Sequence, residues 1–355
     1  MPATVKVKDE GLTVLYEPTH GTILADVVFV HGLQGHPKKT WSTKGPVRED
    51  KSPKSKASRL SRFFGKNDGK PKTEEVQDTL FWPAQLLPED HEDLRVLTYG
   101  YDSHVSRYFR GPANKDNISQ HALIRSRSGC PTRPLILVAH SLGGIIVKEA
   151  LIEGEKQGEY EPEQDISAVC PAIVFFGTPH RGSDDSAWGL MLSNIVRAAQ
   201  FDTNTNILTD LDPSRGSSKL QDLERDFAPF LKKMKIYTFQ ESAGKLGFAS
   251  AGGKVCPPEE APQQKANLEQ VVLDQSSAFN NREFEYLDTI NANHMGMCRF
   301  EGRDDDGYEK FDGALTRILN NLKKKQEESA RQAKARELET KQFMSEENDH
   351  YRQGP

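Results

Sequence analysis

The sequence predicts an α/β fold: a mostly parallel central sheet with helices on both faces. Three observations predict it. Short apolar runs, among them Ala25–Val30, Leu135–Ala139 and Ala172–Phe176, have the composition of strands covered on both sides. Amphipathic helical patterns alternate with these runs. At one junction, Leu135-Ile136-Leu137-Val138-Ala139-His140-Ser141-Leu142-Gly143-Gly144, an apolar strand stops at a serine among small residues and a helix begins at once.

Composition bounds the rest. The chain has 355 residues, enough for one large core with appendages. Its hydrophobic content of 35% and mean hydropathy of −0.68 are low for a globular enzyme, so part of the chain is expected outside the core. A net charge of −5 gives no global attraction to nucleic acid. The four cysteines, Cys130, Cys170, Cys256 and Cys298, form neither a CxxC pair nor a metal-like cluster, which fits reduced thiols. Met1–Lys6 lacks the apolar core of a signal peptide, and no run reaches the length of a membrane span. The expectation is a soluble, cytoplasmic protein.

In chain order, Leu12–Tyr16 alternates like an edge strand, and Ala25–Val30 is a buried one running into His31-Gly32-Leu33-Gln34-Gly35. From Ser42 to Asp78, Lys, Arg, Ser, Gly and Pro dominate and hydrophobic periodicity is lost, so a disordered basic insertion is expected. Such a segment is either a solvated loop or a contact for acidic lipid headgroups or a partner protein. Phe81–Pro88 predicts a short helix and Leu94–Tyr101 a core strand, while Asn117–Arg125 is a short helical candidate. Beyond the serine, Ala172–Gly177 and Lys235–Gln240 predict strands, Ala187–Ala199 and Ser218–Lys233 helices, Ser242–Gln264 a loop, and Gln270–Leu273 the last strand. Leu315, Ile318, Leu319 and Leu322 share one face of a closing helix. The domain is expected to span 1–322, followed by a charged tail over 323–355 that is partly a fraying helix or disordered.

In a parallel α/β sheet, active residues gather beyond the carboxyl ends of the strands. The strand–serine–helix junction has the form of the nucleophile elbow of α/β-hydrolases, G-x-S-x-G, with Ala139 in place of the first glycine. A serine hydroxyl needs a base within hydrogen-bond reach. In the Ser…acid…His order of this fold the base lies downstream. His350 lies in the charged tail and His180 follows the strand beside the elbow, which leaves His294. Glu241, ending the penultimate strand, occupies the usual place of the acid that orients the histidine; Asp184, Asp185 and Asp274 are alternatives. The N–H groups of Leu33 and Leu142 are candidates for an oxyanion hole, although the glycines beside Leu33 could simply make a turn.

Several motifs together resemble one family. They are His31-Gly32-Leu33-Gln34-Gly35-His36-Pro37 through Thr40-Trp41, Tyr99-Gly100-Tyr101-Asp102, His140-Ser141-Leu142-Gly143-Gly144, Gly177-Thr178-Pro179-His180-Arg181-Gly182, and Asn293-His294 through Cys298-Arg299-Phe300. Over roughly Leu12 to Leu322 the chain resembles the lipase-like serine hydrolases related to the serine-active-site-containing protein and, more distantly, to the GPI inositol-deacylase. It is also similar to fungal domains that stand ahead of NACHT, ankyrin or tetratricopeptide regions. The resemblance implies Ser141 as nucleophile, His294 as base, Glu241 as acid, and an ester or lipid substrate. It also implies, for some members, phospholipid handling at mitochondrial or endoplasmic reticulum membranes.

The expectation is therefore a serine hydrolase of carboxylic esters, possibly lipid esters, with no cofactor, no metal and no nucleic-acid partner. Its rival is a weakly active or inactive hydrolase-fold module that binds partners through the 42–78 insertion or the tail. Peripheral membrane contact through the same segments is compatible with either.

Overall fold

The computed structural model describes residues 5–44, 79–103, 129–159, 165–180, 195, 217–242, 279 and 283–352. Its strands, in chain order, are β1 (Gly11–Tyr16), β2 (Ala25–Val30), β3 (Ser42–Lys44), β4 (Thr79–Phe81), β5 (Leu94–Gly100), β6 (Leu135–His140), β7 (Ala172–Phe176), β8 (Lys235–Glu241) and β9 (Glu285–Ile290). Seven of them form the central sheet, in the order β1-β5-β2-β6-β7-β8-β9. All neighbours in it pair parallel except β1, the antiparallel edge. The other two, β3 and β4, form a separate antiparallel ladder.

Alternation along the strands divides the core in two. Val27, Phe29, Ile136, Val138, Val174 and Phe176 face one side, where Trp41, Trp82, Phe311, Leu315 and Ile318 pack on them. Val28, Val30, Leu135, Leu137, Ala139, Ile173 and Phe175 face the other, against Ile146, Val147, Leu151, Phe227 and Phe230. Burial on both faces is why these strands read as unbroken apolar runs. After β2 the chain forms β5 on one side and then crosses to form β6 on the other. The order therefore reverses between β2 and β6, and in open α/β sheets ligands bind outside the strand ends at such a switch. Gly32 and Ser141 follow those two strands.

The register is pinned at the opposite end. Asp26 of β2 lies beside Arg95 of β5 and accepts hydrogen bonds from its Nε (2.9 Å) and Nη2 (2.8 Å), and from Arg133 Nη1 (3.0 Å). Asp26 is fully buried and Arg95 nearly so. Removing one member of a buried pair strands the other's charge, so Asp26→Ala is expected to cost about 3–5 kcal/mol in chemical denaturation.

Three sequence expectations change. The last strand of the sheet is β9, not Gln270–Leu273, which lies outside the described residues. Tyr286 and Leu287 of β9 are about half exposed, so this edge strand lacks the apolar signature of the others. The basic insertion was expected to begin at Ser42, yet Ser42–Lys44 is a strand, held by Thr79–Phe81. Residues 45–78 lie outside the description, as do Asn117–Arg125, Ala187–Ala199 apart from Ile195, and 243–264. The charged tail is not a separate element: one helix runs from Asp306 to Arg352 through residue 322 without a break. Helix-favouring residues and pairs such as Glu337–Lys341, 2.6 Å, support its exposed part.

Among the described residues no helix is long and apolar enough to cross a membrane.

Candidate active site

The elbow forms because its neighbours leave room for it. Ser141 has φ of +54°, the left-handed region that a residue with a side chain seldom adopts. Its N–H donates to Phe176 O (2.8 Å), and its carbonyl accepts from Thr178 Oγ1 (3.0 Å), so β7 and the residues after it hold the strained turn from both sides. The helix Gly143–Gly158 starts two residues later. A side chain on Gly144 would collide with Thr178 and Phe175, and one on Gly143 with the carbonyls of Val30 and His31. The small residues of the motif are thus what lets the serine turn enter between β2 and β7.

Ser141 is 1% exposed. Its Oγ lies 2.8 Å from His294 Nε2. His294 Nδ1 lies 3.3 Å from Glu241 Oε1, an ion-pair distance without a hydrogen bond. Such contacts are often looser in a free site than in a substrate complex. Glu241 ends β8 and pairs in register with Ile290, the last residue of β9, four residues before His294. All three side chains are almost fully buried. The structure thus brings Ser141, His294 and Glu241 together in line. Asp184, Asp185 and Asp274 lie outside the described residues.

The loop after β2 closes the other side. Gly32 lies so near the elbow that an added Cβ would stand 2.7 Å from Ser141 Cβ and 3.0 Å from His140 O. Leu33 and Leu142 are buried, and among the described residues neither of their N–H groups donates a hydrogen bond. Two unused donors on loops flanking the serine are what an oxyanion hole requires. Gly32→Ala is expected to push the two loops apart and slow reaction of Ser141 with a fluorophosphonate by about 100-fold, the usual cost of a displacement near 1 Å.

Histidines whose roles sequence reasoning left unassigned shape this centre. The His31 ring stacks on Tyr101 with centroids 4.2 Å apart. Its Nδ1 donates to Gly32 O (3.0 Å), while its Nε2 accepts from Tyr101 N–H (3.4 Å). Burial lowers its pKa to about 4, against the Gly32 bond, so it is neutral at pH 7. Tyr101 Oη also donates to His31 O (2.7 Å). His140 is buried and held well below the usual histidine range, first by burial and then by His294. His180, set aside above as a base, stacks its ring on Phe279 at 3.8 Å. Beyond His294, Trp82 Nε1 donates to Cys298 O (2.9 Å), and Cys298 Sγ to Thr40 O (3.4 Å). These anchors fix the turn that carries His294. Among the described residues no group of three His, Cys, Asp or Glu could hold a metal ion.

No family model matches the chain. It is similar to Protein SERAC1 of Homo sapiens, 29% identical over 324 residues, covering 86% of this chain and 41% of the relative. Protein SERAC1 of Danio rerio is 28% identical over 319 residues, covering 85% and 40%. The chain thus spans about two fifths of the length of these curated relatives. Among solved structures, Bacillus licheniformis lipase BlEst2 in mature form aligns over 86% of this chain and 97% of its own, with 16% identity and a TM-score of 0.49. The esterase domain of a Rhodothermus marinus protein aligns over 89% and 98%, with 14% identity and a TM-score of 0.39. By sequence the chain is thus similar to the SERAC1 proteins over most of its own length, and its sheet is that of a mostly parallel α/β fold.

Proposed function

We propose that the chain is a serine hydrolase that cleaves carboxylic esters, lipid esters among them. The observation that supports this reading is the placement of His294 between Ser141 (2.8 Å) and Glu241 (3.3 Å), with the serine on a strained elbow. In this mechanism His294 Nε2 takes the proton as Ser141 Oγ attacks the acyl carbon. The developing oxyanion is held by the N–H groups of Leu33 and Leu142. Collapse of the tetrahedral intermediate breaks the acyl–oxygen bond, and His294 returns the proton to the leaving alcohol. Water, deprotonated by the same imidazole, then releases the acid and regenerates Ser141. Glu241 keeps the imidazole in the Nδ1–H tautomer and stabilises its charged form. No step requires a metal or cofactor.

The test is labelling with a fluorophosphonate, followed by a panel of esters of increasing chain length. Wild type is expected to label, and Ser141→Ala to remain unlabelled. Equal labelling of the two proteins, or none of either, overturns the mechanism.

A second reading, a hydrolase-fold module that docks partners, is favoured by one observation: the C-terminal helix is exposed from Lys323 through Gln342. It predicts partner binding that survives Ser141→Ala and is lost on deleting the helix beyond Leu322. Partner binding that persists after this deletion rules the helix out as the docking segment.

A further inference from the structure

His140 stands immediately before Ser141, at the end of β6, and the mechanism above gives it no task. Its side chain points to the sheet face that carries Ile136 and Val138, and packs edge-on against Trp41 with centroids 6.4 Å apart. The ring is 2% exposed and lies 5.0 Å, centroid to centroid, from that of His294. His140 Nε2 is 2.8 Å from the backbone carbonyl of His294. A carbonyl only accepts, so Nε2 carries the proton and donates. The other edge of the ring faces the loop after β2: a Cβ on Gly32 would stand 3.2 Å from His140 Nδ1. One planar group therefore touches the backbone of His294 and the loop that carries Leu33, directly behind Ser141.

We infer that His140 is a positioning residue, whose hydrogen bond to the His294 carbonyl sets the imidazole of His294 between Ser141 and Glu241. This rests on the hydrolase reading for its consequence in catalysis, though not for its geometry. The turn at His294 follows an edge strand and has no ladder of its own to fix it. Gly296 N–H and Met297 N–H bond back to Asn293 O within the turn, and Trp82 and Thr40 hold its far end. The bond from His140 is what ties the turn to the elbow strand at His294 itself. An apolar side chain would fill the same space without a donor. A positively charged one would repel the imidazolium that forms during the reaction. The titratable neighbours of His140 are His294, His31 and Arg299; burial, the largest cause, and these three all act to keep the ring neutral, against the hydrogen bond to the His294 carbonyl.

The experiment compares His140→Gln, His140→Asn and His140→Phe. A glutamine amide reaches about as far as Nε2 and can donate to the same carbonyl, an asparagine amide falls short, and phenylalanine keeps only the bulk. Two quantities are read: the second-order rate of fluorophosphonate labelling across pH, and the titration of the His294 imidazole by NMR, assigned against His294→Gln. His140→Gln is expected to label within about threefold of wild type and to keep the wild-type titration. His140→Asn and His140→Phe are expected to label about 10- to 100-fold more slowly. The NMR signals of their His294 ring should depart from the wild-type course, because a displaced imidazole loses contact with Glu241. If Gln and Asn behave alike in the titration, or if labelling follows thermal stability alone, the assignment is overturned. The Asn and Gln pair decides the matter even if the Phe variant does not fold. Should wild type fail to label at all, the hydrolase reading falls, while the His294 titration still judges the positioning role.

Discussion

Ser141→Ala, His294→Ala and the double variant are expected to lose ester hydrolysis to about the same depth, on the order of a million-fold in kcat. The effects do not multiply, because a serine without its base and a base without its serine are equally ineffective. Glu241→Gln is expected to cost about 10,000-fold by a different route. The glutamine amide can donate to Nδ1, which moves the proton to Nε2 and leaves nothing there to accept from Ser141. About 1,000-fold acceleration over water should remain in the serine and histidine variants, and about 100-fold more than that in Glu241→Gln, since the backbone N–H groups of Leu33 and Leu142 are untouched. Steady-state kinetics on an activated ester measures all four proteins. A double variant far worse than either single one, or a His294→Ala protein that keeps more than about one hundredth of wild-type kcat, is incompatible with the assigned roles.

The second large effect concerns stability. Lys148 sits on the helix after the elbow, fully buried, and its Nζ makes no hydrogen bond among the described residues. The ammonium lies among the rings of Phe279 (4.7 Å), Phe227 (5.6 Å) and Phe175 (5.9 Å). Burial lowers its pKa from 10.5 to about 7, against the attraction of Glu224 and Glu285. Between these two values the unfolded chain binds more protons at this site than the folded one. The contribution of Lys148 to stability therefore rises with pH from about 7 to about 10.5, and is most unfavourable below 7. The shift corresponds to about 4–5 kcal/mol across that window. Lys148→Met, which keeps the length and removes the charge, is expected to raise stability at pH 7 by a few kcal/mol. Urea unfolding of both proteins from about pH 6 to about pH 9 checks this. The stability gap should narrow as pH rises, and a constant gap would show that the lysine does not titrate there.

Lys148 also shows where sequence reading stops. A lysine early in an amphipathic helix reads as a solvated side chain, and only the three phenylalanines from separate segments make it buried. The sheet was legible where both faces of a strand are covered: Ala25–Val30 was read from its apolar run to the residue. β9 was not, because an edge strand with exposed Tyr286 and Leu287 gains its order from pairing with β8 and leaves little hydrophobic trace. At the candidate site, Ser141 was legible because a strained turn demands small neighbours in fixed places, and the requirement is local. His294 and Glu241 were legible through chain order. The tasks of His31 and His140 were not, since they depend on which carbonyl each nitrogen meets across the fold. Asp26 and Arg95 are separated by 69 positions, and no local pattern pairs them.

The short ladder of β3 and β4 has a consequence for how the chain tolerates change. Lys44 and Thr79 are register partners, so the two ends of the sequence between them stand side by side. Closing a flexible loop costs only about 0.6 kcal/mol more for each doubling of its length. The three-residue clasp therefore works as a port: the intervening sequence can be lengthened, shortened or exchanged for a tag while its two ends stay fixed. Those ends are also the supports of the turn that carries His294, since Thr40 lies just before the clasp and Trp82 just after it, and both hold Cys298. A change at the rim of the port reaches the turn of His294.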